Sequence, residues 1–333
     1  MNKYLFVTFH ALMMTLCVIC SCIREDYDGD LLDDSPIIIT LYQPNGLGDL
    51  AYNDATYRAV QSLAQSYGLR TVTVERATYA ECVNYLTERL TTGNDDGIKR
   101  LYVILADNRY DGFFTEYDSL IMNDSHTKVL AIGNRRTFTN IHTIDIRSYG
   151  LFYEAGLILD EMSDCQRVAI VTTDTISAYF SEYTQGLCDA LSDPVTTDVI
   201  HIDCGDNENI TDLMYTASYG FDGQYDVVIP MCGATGVLRY NREHVRSFST
   251  IGTGADMSLY STCVPFSCVK DIYGILSVSV GEWLSGQMSS HHAYGLESGM
   301  VRIVESPTYK ELIDSMIRNS HQTAIDKENE KYN

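Results

Sequence analysis

The chain predicts an α/β protein of two Rossmann-like lobes, each a parallel sheet covered by helices, joined by a hinge. Three observations predict it. From residue 37 onward, short apolar runs alternate with amphipathic stretches, the pattern of parallel sheets with helices on both faces. The pattern runs once through residues 37–146 and starts again at Arg167, as two similar lobes do and one long sheet does not. A length of 333 residues also exceeds one ordinary domain and suits two.

The elements follow in order. Residues 37–42 (IIITLY) are apolar apart from Thr40 and read as a buried strand. Residues 53–67 read as a helix with Ala55, Ala59, Val60, Leu63 and Ala64 on one face, and Gly68 stops it. A strand at 71–75, a helix at 79–91, strands at 101–106 and 128–133 with a short helix at 113–121 between them, and a strand at 141–146 complete the first run. The second run reads as helix 149–162, strand 167–172, helix 177–191, strand 198–203, helix 210–219, strand 226–230 and strand 249–253. Helix 272–285, strand 300–304 and a long helix at 309–329 close the chain. The expected division is an N-terminal lobe of residues 36–146 plus 271–304, a C-terminal lobe of 147–270 and a terminal helix within 305–333. Right-handed crossovers in such sheets gather ligands at the carboxyl ends of the strands.

Residues 1–21 read as a signal peptide. Lys3 supplies a basic start and residues 5–19 are mostly apolar, too short and too cysteine-rich for a span of about 20 apolar residues. Ser21 directly before Cys22 resembles the lipobox of bacterial lipoproteins, which implies acylation (palmitate and its relatives) of Cys22 as the first residue of the mature chain; the alternative is a simple cleaved signal. Residues 22–35 are acidic and would form a lipid-anchored tether, and the acids after Cys22 resemble signals for the outer face of the outer membrane. The expected location is therefore the bacterial cell envelope, at the periplasmic face or the outer-membrane surface.

Composition narrows the function. A formal net charge of -22 repels phosphate backbones, so no nucleic-acid partner is expected. Six prolines and no long polar tract argue against disorder and for a soluble globular chain; a monomer is expected. Seven cysteines follow the signal: Cys82, Cys165, Cys188, Cys204, Cys232, Cys263 and Cys268. None forms a C-x-x-C and no Cys/His set has zinc spacing, so no metal site is expected. Cys263 and Cys268 are near enough to bridge after export, but most of the seven should be small buried apolar residues. His291 and His292 fall in a Ser-rich stretch expected to be an exposed loop with no carboxylate beside it. No G-x-S-x-G, H-E-x-x-H or P-loop occurs, so neither an enzyme nor a cofactor is expected.

The stretch Gly46-Leu47-Gly48-Asp49-Leu50-Ala51 fits G-x-G-x-x-A between a strand and a helix, with Glu75 ending the next strand. A dinucleotide turn would start closer to the strand, and Asp49 would put a carboxylate where pyrophosphate must sit. A Rossmann-like enzyme is thus the weakest reading.

The same loop carries a resemblance. Gly48-Asp49-Leu50-Ala51-Tyr52-Asn53-Asp54 resembles the G-x-x-D-x-S-F-N-Q loop of the basic membrane protein family. Its members are purine-nucleoside-binding lipoproteins of ABC importers, with a type I periplasmic-binding-protein fold. Six further stretches resemble that family in order: Ala155-Gly156-Leu157; 168–174 with Gln185-Gly186-Leu187; 226–236 (DVVIPMCGATG); 251–256 (IGTGAD); Ser267-Cys268-Val269-Lys270; and Tyr294-Gly295-Leu296 with Gly299-Met300-Val301. The resemblance spans residues 37–325 and implies a binding protein that closes on a small ligand, with an ABC permease as partner.

It also implies site residues. Tyr52 matches an aromatic that stacks on the ligand. Asn53 follows it and would bind the ligand or cap the helix. Gly233 and Thr235 belong to the second-lobe binding loop, and Lys270 matches a lysine near the hinge, or is a surface charge on a crossover. Gln43 and Gly254 stand where the family has ligand-binding aspartates, while Asp256 keeps the second aspartate of its motif. Asp107 and Asn108 after one strand and Asn134 after another are polar replacements at strand ends, or ordinary turn residues. The ligand is therefore nucleoside-like or another small polar metabolite. A sugar-binding or sensory lipoprotein without a transport role is the alternative.

Overall fold

A computed structural model describes residues 34–43, 46–92, 96–106, 108–121, 126–162, 165–173, 178–192, 195–203, 209–244 and 247–333. The expected signal peptide, Cys22 and most of the tether lie outside the described residues, as do Asp107 and Cys204.

The first lobe is built on six strands. They are β1 (Ile37–Leu41), β2 (Arg70–Val74), β3 (Arg100–Leu105), β4 (Thr127–Ile132), β5 (Ile141–Ile146) and β12 (His291–Tyr294). They lie in the order β12-β5-β4-β3-β1-β2, and all the pairs are parallel. Every residue of β1 is buried, as a strand covered on both sides requires. Its alternate residues serve two layers. Ile38 packs with Val60 and Leu63 of α1 (Tyr52–Tyr67) and with Ile275 and Leu276 of α8 (Ile272–Ser285). Ile37, Ile39 and Leu41 pack with Leu86 of α2 (Tyr79–Thr91) and Phe114 of α3 (Asp111–Ile121).

The second lobe holds β6 (Arg167–Thr172), β7 (Thr196–His201), β8 (Val227–Pro230) and β9 (Ser249–Thr250), in the order β7-β6-β8-β9 and again parallel. The short β10 (Gly252–Gly254) and β11 (Phe266–Lys270) run parallel, and β13 (Val301–Glu305) pairs antiparallel with β11. Helices α4 (Tyr149–Glu161), α5 (Ala178–Ala190), α6 (Ile210–Phe221), α7 (Ala234–Glu243) and α9 (Lys310–Tyr332) belong to this half. Helix α4 packs against both α5 and α9, and α6 packs against α7.

The chain crosses between the halves three times: from β5 to α4, from β11 to α8, and from β12 to β13. The crossovers are tied to their neighbours through the backbone. Arg147 N donates to Tyr294 O at 2.8 Å, and Asp271 N donates to Met300 O at 2.7 Å. Of the segment 271–304, α8 and β12 join the first sheet's layers, whereas β13 pairs with β11.

Three stretches depart from the sequence expectation. Residues 233–236, read as a binding loop, open a full helix, α7, and residues 266–270, to which no element was assigned, form the strand β11. The His291–His292 stretch is not an exposed loop but β12, an edge strand beside β5. The expected absence of a carboxylate neighbour also fails, because His292 Nε2 lies 3.0 Å from Glu282 Oε2. That glutamate comes from α8, ten residues away along the chain and out of reach of any local spacing rule. Cys263 and Cys268 are both free and buried, as are Cys82 and Cys165. Among the described residues no group of three or more His, Cys, Asp or Glu side chains could hold a metal, and no helix is long and apolar enough to cross a membrane.

Candidate functional site

The loop between β1 and α1 is shaped by its own polar side chains. Asp49 Oδ1 accepts from Ala51 N at 2.8 Å and Asp54 N at 3.1 Å, and Asp49 Oδ2 accepts from Asn53 N at 2.9 Å. These are the amides that the start of α1 leaves open, so Asp49 caps the helix from outside it. Burial raises its carboxyl pKa above the usual range, against the pull of those three amides. With Asp49 in that place, the helix N-terminus offers no seat to a phosphate. Asp54 binds the loop from the other side, accepting from Gly48 N at 2.7 Å and Leu50 N at 3.0 Å.

Asn53 is buried, with both ends of its amide engaged. Nδ2 donates to Gly46 O at 2.8 Å, and Oδ1 accepts from Gln43 N at 3.2 Å. Its side chain therefore sews the loop to the end of β1. Gln43 lies half-buried at that seam. Leu50 is the one described non-glycine residue at positive φ, 55°, a conformation that costs an ordinary side chain about 1–2 kcal/mol. Leu50 and Ala51 pack against Ala234, Leu238, Met257 and Val264. All four are second-lobe residues, so the strained residue is the one driven across the gap.

The second lobe meets this loop with the start of α7. Gly233, at φ 56°, precedes the helix, and Thr235 Oγ1 donates to Gly48 O at 3.1 Å. Gly254, at the end of β10, lies so close that a Cβ on it would be 3.5 Å from Tyr52 N. Tyr52 thus stands where the two lobes touch. Its hydroxyl end reaches the end of β4, 3.8 Å from where a Cβ on Gly133 would be.

Lys270 closes the arrangement. Its ammonium nitrogen lies 5.6 Å from the Tyr52 ring centroid and 4.9 Å from that of Tyr183, and donates to the Tyr183 hydroxyl at 2.7 Å. Tyr183 in turn stacks on Phe152, centroids 4.6 Å apart. Beside Lys270 opens a groove of about 330 Å³, lined among others by Ala55, Arg58, Asp256, Lys270, Tyr273 and Arg302. Asp256 Oδ1 is held by Ser258, accepting from its N at 3.0 Å and its Oγ at 2.7 Å.

The structure therefore gathers Tyr52, Gly254, Asp256, Lys270, Gly233 and Thr235 at the meeting of the lobes. Asn134 is buried at the end of β4 and engaged locally: Nδ2 donates to Asp111 Oδ1 at 2.7 Å and Oδ1 accepts from Arg136 N at 2.9 Å. Sequence reasoning missed Tyr183 and Leu50. Tyr183 falls just before the quoted Gln185-Gly186-Leu187 and carries no signal beyond that of a core aromatic. Leu50 looks like any loop residue until its φ is known.

No protein-family model matches the chain, and no curated protein sequence matches it. Solved structures do. An ABC transporter solute-binding protein from Aeropyrum pernix K1 superposes with a TM-score of 0.67 at 15% identity, covering 86% of this chain and 80% of that one. A transcriptional activator of the comK gene from Bacillus halodurans superposes with a TM-score of 0.65 at 13% identity, covering 87% and 98%. An ABC transporter periplasmic solute-binding protein from Actinobacillus succinogenes 130z with bound D-allose superposes with a TM-score of 0.60 at 9% identity, covering 83% and 100%. At such identities the likeness speaks for architecture. With its two parallel sheets and three crossovers, this chain has the two-lobed fold of type I periplasmic binding proteins.

Proposed function

We propose that this chain is an exported solute-binding lipoprotein that closes its two lobes on a small polar metabolite. The observation that carries the reading is the meeting of Tyr52 and Lys270 where the two lobes touch; Lys270 and Asp256 also line the open groove next to it. Tyr52 offers a flat face, Lys270 a movable cation, and Asp256 a carboxylate with one oxygen still outside its turn. A ligand entering between the lobes would take the Tyr52 face from Lys270 and bridge it to the residues around Gly233 and Gly254. Closure is then the selection of the state in which both lobes touch the ligand.

In this reading Cys22 carries the lipid and residues 22–35 are the tether. Residues 36–146 with α8 and β12 form one lobe, and residues 147–270 with β13 and α9 the other. An ABC permease would receive the ligand. Nucleosides are the first ligand class to test, through the resemblance of the Tyr52 loop; sugars are the second, through the neighbour with bound D-allose. Replacement of two expected carboxylates by Gln43 and Gly254 removes charge-assisted hydrogen bonds of about 1.5–3 kcal/mol each, which favours a ligand other than a family-typical purine nucleoside.

Calorimetric titration with nucleosides, pentoses and hexoses separates these. Heat from a nucleoside and none from a sugar supports the first class; absence of binding by every purine nucleoside at millimolar concentration ends it. A Cys22→Ala variant should move from the membrane fraction to the soluble fraction. If it stays with the membrane, Cys22 is not the anchor.

A further inference from the structure

The C-terminal end of α9 does not lie idle on the second lobe. It reaches the places where the chain crosses between the lobes. Glu328 is buried, and its carboxylate spans two crossovers: Oε1 accepts from Gly150 N at 3.2 Å, at the start of α4, and Oε2 accepts from Leu296 N at 2.8 Å, just after β12. Both crossovers carry a glycine at the contact. A Cβ on Gly150 would lie 2.8 Å from Oε1, and a Cβ on Gly295 would lie 2.1 Å from Oε2. Only a residue without a side chain allows the carboxylate in at either point.

One helical turn later, Tyr332 continues the contact. Its ring lies 4.6 Å from the Arg147 guanidinium carbon and 5.8 Å from that of Arg135, both within cation–π range. Arg147 is the crossover residue next to β5. Arg135 follows β4 in the first lobe, pairs with Asp145 at 3.1 Å, and pairs with Glu182 of α5 in the second lobe. Asp145 and Glu182 are both buried. Lys331 adds a bond from Nζ to Gln185 Oε1 of α5 at 2.7 Å. Residues 328, 331 and 332 share one face, as spacings of three and four on a helix dictate.

We infer that the last turns of α9 are a hinge clamp: Glu328 fastens two of the three crossovers to each other, and Tyr332 covers the inter-lobe ion pairs beside them. The clamp holds the two lobes in contact, and its grip sets how far they part. This is independent of which solute is bound, because every group involved lies at the crossovers and not around Tyr52.

Amide hydrogen exchange on the ligand-free chain tests it, because the two Glu328 bonds are themselves exchange sites. Tyr332→Ala removes the ring from Arg147 and Arg135 at the last helical residue. It should raise exchange at least tenfold in segments 147–152 and 294–299 together, with β1 and β6 unchanged. Glu328→Gln keeps the side-chain shape but cannot accept from both N–H groups, and should do the same. Tyr332→Phe keeps the ring over Arg147 and loses only the hydroxyl beside Glu182, so it should open these segments far less than Tyr332→Ala. The inference is overturned if both segments keep their protection in Tyr332→Ala and Glu328→Gln, if exchange rises only within α9, or if Tyr332→Phe opens them as far as Tyr332→Ala.

Discussion

Lys270 stands over Tyr52, its ammonium nitrogen 5.6 Å from the ring centroid, while donating to the Tyr183 hydroxyl at 2.7 Å. The lysine therefore holds an aromatic from each lobe. A cation–π contact and a charged hydrogen bond together stabilise by about 1–3 kcal/mol. Lys270→Met should lower unfolding free energy in urea by an amount in that range. An unchanged midpoint would mean that the lysine's contacts are solvated away.

Leu50 gives an inverted expectation. Glycine normally destabilises relative to alanine. At φ 55° the order should reverse, because glycine relieves about 1 kcal/mol of strain that alanine retains. Both variants lose the contact with Leu238 and Met257, so both should be less stable than the unaltered chain. Thermal melts of Leu50→Gly and Leu50→Ala decide it: glycine melting below alanine would show that the loop relaxes out of this conformation.

Asp49 holds three amides at the start of α1. Asp49→Ala should cost about 1–2 kcal/mol, as the loss of a strong helix cap does, and should speed amide exchange at Ala51 and Asn53. Exchange at those two amides as slow as in the parent would mean that other acceptors replace the carboxylate.

Glu328 predicts a pH effect. Burial, opposed by the Leu296 and Gly150 amides and by Arg147 and reinforced by Glu182, pushes its pKa up to about 6 from 4.5. A raised carboxyl pKa means the fold prefers the protonated form. Its penalty is absent below pH 4.5, grows as pH rises to about 6, and is constant above, reaching about 2 kcal/mol. The difference in unfolding free energy between the parent and Glu328→Gln should change over that window and be flat above it. A difference flat from pH 4 to 8 would place Glu328 in contact with water.

The legible part of the fold was its apolar part. Strands β1, β3 and β4 announce themselves because parallel strands buried on both faces are written in nearly continuous apolar residues, here III, LYVIL and VLAI. By contrast, β12 is His291–Tyr294, an edge strand with two half-buried histidines, an exposed Ala293 and a buried Tyr294, and nothing in HHAY signals a partner in β5. The same contrast runs through the site. Tyr52 and Lys270 were named from the sequence, and the structure brings them together. Asn53 could be read either as ligand contact or as cap, and its amide is engaged with Gly46 and Gln43. Tyr183 and Leu50 acquire meaning only through residues 87 and about 190 positions away, a separation that no local pattern encodes.

The central claim is that the lobes close on a small polar solute held at Tyr52. A thermal-shift screen of the chain from Asp26 onward, against nucleosides, nucleobases, pentoses and hexoses, tests it most directly. At a hundredfold excess over its dissociation constant, a true ligand stabilises the fold by about 2.7 kcal/mol. At least one of these solutes should give such a shift, and Tyr52→Ala should abolish it. No shift with any solute at millimolar concentration, or an equal shift in Tyr52→Ala, would contradict it.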